Sequence, residues 1–216
     1  MIQLTKKNFQ ASDFLRNQML QWNLLYDLLT REFTRCNLNN NIHEIGYKVE
    51  LVDKLYNCHL RQDIRKVANA LLNLDLDSEF EKSDSYSIFN KIAEIKLPKH
   101  KDEGYYKRLG EVFASKYCHF HYPHRFPITD SYSRLALSTL FNNKMNYYDN
   151  NYTQFVHDIN DIKKNIKFEI TYAQIDTYLW LYGQWLEYED KNQCSHEFRY
   201  LIEHEYELLE DLSPIS

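Results

Sequence analysis

Three observations predict an all-α fold for this chain. Apolar residues recur at helical spacing along most of its length, and the 216 residues hold only four Gly and four Pro. Nothing reads as a sustained strand, and so few turn formers leave little material for a many-stranded protein. The expectation is an irregular all-α bundle of about eight to ten helices in a single domain over residues 1–216. Residues 46–140 would form its core, with residues 1–45 and 141–216 packed on it as flanking helices.

The first element is predicted over Asp13 to Cys36. Phe14, Leu15, Gln18, Trp22, Leu25, Leu29 and Phe33 repeat there behind the Ser12-Asp13 cap pair, and the run ends in the loop Asn37 to Asn41. Helices from about Gly46 to Leu60 and from Arg61 to Leu74 follow, burying Val49, Val52, Ile64, Val67 and Leu71. Asp75 to Ser85 is polar and acidic, which reads as a linker. Tyr86 to Leu97 reads as a helix stopped by Pro98, then comes the basic loop Lys99 to Gly104. Tyr105 to His121 is the next helix, and Pro123 and Pro127 force an extended connection after it. Thr129 or Asp130 caps a helix to Phe141. Asn142 to Asn151 is a loop, and helices over Tyr152–Ile166, Thr171–Tyr188 and Ser195–Leu212 complete the chain. Lys167 to Ile170 is the only strand-like run.

Within the Tyr105–His121 helix, Leu109, Val112, Phe113 and Phe120 form one stripe with Lys116 near its centre. A lysine there either lays its methylenes on the core and sends its ammonium to water, or sits in a partly dry pocket where its amine becomes a nucleophile. Fourteen residues on, Asp130 stands before a helix, where an aspartate commonly serves as N-cap. A cap also keeps the carboxylate charged.

Composition narrows the rest. No apolar run approaches the roughly 18 residues of a membrane helix, and Met1-Ile-Gln-Leu-Thr-Lys-Lys has no apolar segment behind its lysines, so a cytoplasmic, non-membrane protein is expected. Cys36, Cys58, Cys118 and Cys194 are far apart without a C-x-x-C pair, which argues against a zinc ribbon or iron–sulfur cluster. The net charge is −5, yet Lys91 to Arg134 holds nine Lys/Arg against five Asp/Glu, while the last helix is acidic. One anion-binding face would give that asymmetry, as would a solvated charged surface.

The segments Lys48 to Tyr56, Gly110 to Lys116 and Phe126-Pro127-Ile128-Thr129-Asp130-Ser131-Tyr132-Ser133-Arg134 resemble, in that order, parts of the helix-hairpin-helix DNA glycosylase superfamily. The likeness is to its lysine-bearing, 8-oxoguanine-glycosylase-like branch and covers Gly46 to Leu140. It implies a DNA-repair enzyme, an N-glycosylase with abasic-site lyase activity, acting on a base flipped out of the stack. Lys116 would be the nucleophile and Asp130 the stabilising carboxylate. Phe113, Tyr117, His119, His121, Phe126 and Tyr132 would surround the base. The family's glycine-rich hairpin is absent, so Lys99, Lys101, Lys107, Arg108, Arg125 and Arg134 would hold DNA phosphates. No cofactor and no metal are implied.

Other readings stand beside this one. A glycosylase-like scaffold without its chemistry would be a nucleic-acid or protein binding module. Cys118, His119, His121 and His124 are close enough in sequence to suggest a metal, although His119 and His121 point apart on a helix. Tyr178, Trp180, Tyr182 and Trp185 are a stacking platform or core filler.

Overall fold

The computed structural model describes residues 4–214 except 57, 59, 61–62, 82–85, 99–105 and 145. In chain order the elements are α1 (Lys6–Gln18), α2 (Leu20–Arg35), α3 (Ile42–Tyr56), α4 (Ile64–Leu72), α5 (Leu76–Glu81), α6 (Ser87–Ala93), β1 (Lys96–Pro98), β2 (Tyr106–Arg108), α7 (Glu111–His121), α8 (Ser131–Leu140), α9 (Tyr152–Asn165), α10 (Tyr172–Lys191), α11 (His196–His204) and α12 (Tyr206–Glu210). The protein is all-α, with one short hairpin. No described helix is long and apolar enough to cross a membrane.

The chain divides into two compact units. One is Met1–Leu24 with Phe126–Ser216, and the other is Leu25–Arg125, the first division falling within α2.

In the unit built from both chain ends, α1 packs on α10 and α12, and α8 packs on α10 and α9. The apolar face of α1 buries Phe9, Ala11 and Leu15. Burial of each large side chain there contributes about 2 kcal/mol. Asn8 ties the helix to the far end of the chain, its Nδ2 donating to the carbonyls of Asp211 (2.8 Å) and Ser213 (3.0 Å). On α10, Gly183 faces the Tyr132 backbone so closely that any Cβ would overlap the Tyr132 carbonyl. Only glycine permits that approach.

In the Leu25–Arg125 unit, α3 packs on α4 and α7, and α6 packs on α7, around Ile45, Val49, Val52, Val67, Leu71 and Phe89. The strands β1 and β2 pair antiparallel with Leu97 opposite Lys107. Leu109 N–H and Gly110 N–H then bond the carbonyls of Ile95 and Ala93, both at 2.9 Å, so α7 leaves the hairpin at a fixed point. Gly110 sits before α7 with φ 91°, a backbone state that favours glycine.

The structure departs from the expected elements where breaks carry no Gly or Pro. The Asp13–Cys36 helix splits at Met19 into α1 and α2, because Asn23 Nδ2 donates to the Arg16 carbonyl (3.0 Å) and its Oδ1 accepts from Arg16 Nε (2.8 Å). That side chain satisfies the groups the break sets free. The last helix likewise divides at Glu205. Within the expected Asp75–Ser85 linker, Leu76 and Phe80 lie four residues apart and bury one face of α5. The hairpin takes the C-terminal end of one expected helix and the N-terminal end of the next. Lys167–Ile170 is not a strand.

Candidate functional site

Lys116 does not snorkel: its side chain is 3% exposed within the Leu25–Arg125 unit. Its ammonium lies 4.2 Å from the centroid of the Tyr56 ring, at the end of α3. Among the described residues it meets no carboxylate and no hydrogen-bond acceptor. A cation held by a ring face is stabilised by roughly 0.5–2 kcal/mol, much less than solvation gives a free ammonium. The side chain therefore lies along the core with its ammonium held loosely by a ring.

Asp130 belongs to the other unit, where it caps α8. Its Oδ1 accepts from Ser133 N–H (2.9 Å), and its own N–H donates to Ser133 Oγ (2.8 Å). The carboxylate thus sits at the N-terminus of α8 as its cap.

Of the residues expected around a base, Phe113, Tyr117 and His119 are buried in the Leu25–Arg125 unit and Phe126 in the other. Phe113 stacks on Tyr117 at 5.7 Å, and Tyr117 meets Phe33 edge-on at 5.5 Å. His119 Nε2 and Tyr26 Oη hydrogen-bond at 2.9 Å. These rings fill cores and expose no stacking face. His121 is half-buried beside Phe33 and Phe80.

Tyr132 and Arg134 come together in one cleft of about 790 Å³, lined also by Leu135, Asp149, Glu187 and Lys191. Tyr132 meets Trp180 edge-on at 6.3 Å, and Arg134 Nη1 pairs with Asp149 Oδ1 at 2.9 Å. Arg125 Nη1 donates to the Phe80 carbonyl at 2.9 Å. Lys99 and Lys101 lie outside the described residues. Lys107 and Arg108 are on β2, where only their backbone is placed.

A second lysine escaped the sequence reading. Lys48 of α3 is fully buried, and its Nζ donates to the carbonyls of Cys36 (3.0 Å) and Leu38 (2.9 Å) and to Asn39 Oδ1 (2.8 Å). His121 Nε2 stands 3.3 Å away, and Tyr117 Oη donates to the same Asn39 oxygen at 2.7 Å. Asn39 in turn donates from its backbone N–H and its Nδ2 to Asp77. Burial brings the Lys48 ammonium down from 10.5 to about 8, against the pull of Asp77. Burial, then the Lys48 charge, holds His121 well below the ordinary imidazole value. The signal was available: Lys48 shares an apolar face with Ile45, Val49 and Val52, as Lys116 does with its own stripe.

The Cys118, His119, His121 and His124 run does not assemble a metal site. Cys118 is buried with its thiol pushed up by desolvation, and the two imidazoles are engaged separately by Tyr26 and Lys48. Among the described residues, the group whose ligand atoms converge is His157, Asp158 and Asp161 on α9, within 4.8 Å of one another. Tyr148, Gln154 and Lys164 already bond its carboxylates. Tyr178, Tyr182 and Trp185 are core residues, not an open platform.

The family model HI_0787_N, described as an N-terminal domain, matches residues 7–125, more than half of the chain. Its last matched residue is also the last residue of the Leu25–Arg125 unit. No curated protein and no solved structure gives a significant match.

Proposed function

This chain belongs to the HI_0787_N family, and we propose that it is a lysine-dependent DNA N-glycosylase with abasic-site lyase activity. The observation that carries this reading is the contrast between its two buried lysines. Lys48 has its ammonium wrapped in acceptors, whereas among the described residues the Lys116 ammonium meets the Tyr56 ring and no acceptor. A lysine set on an apolar helix face and away from any described carboxylate supports a use of its amine in chemistry.

In the reaction, the neutral Lys116 amine attacks the sugar C1′ as the glycosidic bond breaks. The base leaves with the bonding electron pair and takes up a proton. The bound nitrogen loses a proton, the C1′–O4′ bond opens with protonation of O4′, and an iminium results. The glycosylase resemblance assigns to Asp130, the cap of α8, the carboxylate that steadies the positive sugar of the transition state.

Duplexes carrying an abasic site, 8-oxoguanine or uracil, incubated with the protein and borohydride, test this directly. A covalent adduct in the parent that disappears in Lys116→Ala is expected. No adduct on any duplex, with the protein folded, overturns the lyase route.

The burial of Phe113, Tyr117, His119 and Phe126 favours a second reading, a binding module on the same scaffold. It predicts DNA affinity without turnover, unchanged by Lys116→Ala.

A further inference from the structure

We infer that Tyr56 is the positioning residue of Lys116, a ring that parks the charged amine while no DNA is bound and gives it up without a competing ion pair. The inference rests on the reading of Lys116 as nucleophile, and its evidence is geometric. The ammonium sits 4.2 Å from the Tyr56 centroid, close enough for the negative face of the ring to hold it. Tyr56 is the last residue of α3, and its ring is braced by Phe120 of α7 at 6.2 Å, one turn beyond Lys116 on the same helix. The lysine and the brace of its ring therefore come from one rigid element.

The chemistry explains why a ring serves here. A carboxylate at that distance would hold the ammonium far more strongly and keep it protonated, which would silence a nucleophile. A ring face binds the cation weakly and lets go when the amine sheds its proton, because the attraction exists only for the charge. Tyr56 thus keeps the charged amine in one place with a contact that is weak enough to give up. Lys48 shows the opposite arrangement, with acceptors on every N–H.

The test uses the full chain carrying labelled lysine, with Tyr56→Leu, Tyr56→Phe and Tyr56→Trp. A methylene above a ring has its resonance displaced upfield. The parent and Tyr56→Phe are expected to show this displacement for the Lys116 ε-methylene, and Tyr56→Leu to lose it. In borohydride trapping on an abasic duplex, Tyr56→Leu is expected to react about tenfold more slowly through the lost placement of the amine, and Tyr56→Phe to recover the parent rate. If Tyr56→Leu fails to fold, Tyr56→Trp decides, because its stronger face should deepen the displacement. A resonance unaffected by the folded Tyr56→Leu or by Tyr56→Trp, or a trapping rate unchanged in folded Tyr56→Leu, overturns the inference. An absent adduct in the parent removes the glycosylase reading instead, and the resonance alone then decides whether Tyr56 holds Lys116.

Discussion

Lys48 Nζ and His121 Nε2 lie 3.3 Å apart inside the Leu25–Arg125 unit, and burial discourages both from carrying a proton. The ammonium survives because Cys36, Leu38 and Asn39 supply three acceptors for its three N–H groups. His121 is left to stay neutral. Both groups therefore tie the stability of this unit to pH, beside the buried Tyr117 and Cys118.

At alkaline pH the parent should gain stability. Lys48 has a folded value of about 8 against 10.5 in the open chain, so the unfolded state binds the extra proton between these values. Stability then rises with pH through that window by up to about 3 kcal/mol for this group. Tyr117 and Tyr178, held neutral by burial, act oppositely above about pH 10, where the unfolded chain ionises them. Urea titrations from pH 7 to 10 should show the rise in the parent and its absence in Lys48→Met.

On the acid side the sign reverses. The His121 imidazole is held well below 6.5 when folded, so the unfolded chain takes up the proton first as pH falls through that value. Stability should drop below about pH 6.5. His121→Gln, which keeps an acceptor for Lys48, should flatten this part of the profile. An equal acid slope in parent and variant would remove His121 as its source.

Asp130 caps α8, and substitution separates that cap from the role proposed for it in the reaction. Asp130→Ala loses the bond from Ser133 N–H and should cost about 1 kcal/mol of stability. Asp130→Asn keeps an N-cap oxygen and should be nearly as stable as the parent. If the carboxylate also stabilises the sugar cation, the Asn variant should form the borohydride adduct at least tenfold more slowly despite intact melting.

Gly183→Ala should be the most damaging single-methyl change in the unit formed by the two chain ends. Its Cβ would overlap the Tyr132 carbonyl, so α8 and α10 would have to separate. A loss of about 2 kcal/mol or more is expected in thermal or urea unfolding. Gly46→Ala, whose Cβ would meet Ala68 in ordinary contact, is the internal control.

Three helix starts were legible because cap chemistry is local, whereas the expected Ser12-Asp13 cap lies inside α1, which Thr5 begins. Asp130, Thr171 and Ser195 each accept from a backbone N–H three residues on, and residue type alone announces that. The break at Met19 was not legible, since it depends on one Asn23 side chain reaching back seven residues. Strands of three residues leave too short a pattern for alternation to declare itself. Spacing flagged Lys116 and passed over Lys48, although both interrupt apolar faces. What distinguishes them is the acceptors that the Cys36–Asn39 turn brings to one and not the other, and spacing carries no record of a turn's carbonyls.

The packing of α1 on α10 and α12 has a consequence for the order in which the molecule can assemble. Helix α1 precedes its partners by most of this sequence, so Phe9 and Leu15 stay bare until α10 and α12 have been made. Leu25–Arg125 has its own core and is ready to fold earlier. A fragment cut where the family match ends, at Arg125, would keep α1 and discard α10 and α12, on which it packs. The stretch that relatives share in sequence and the stretch that closes on itself are therefore different pieces of this polypeptide.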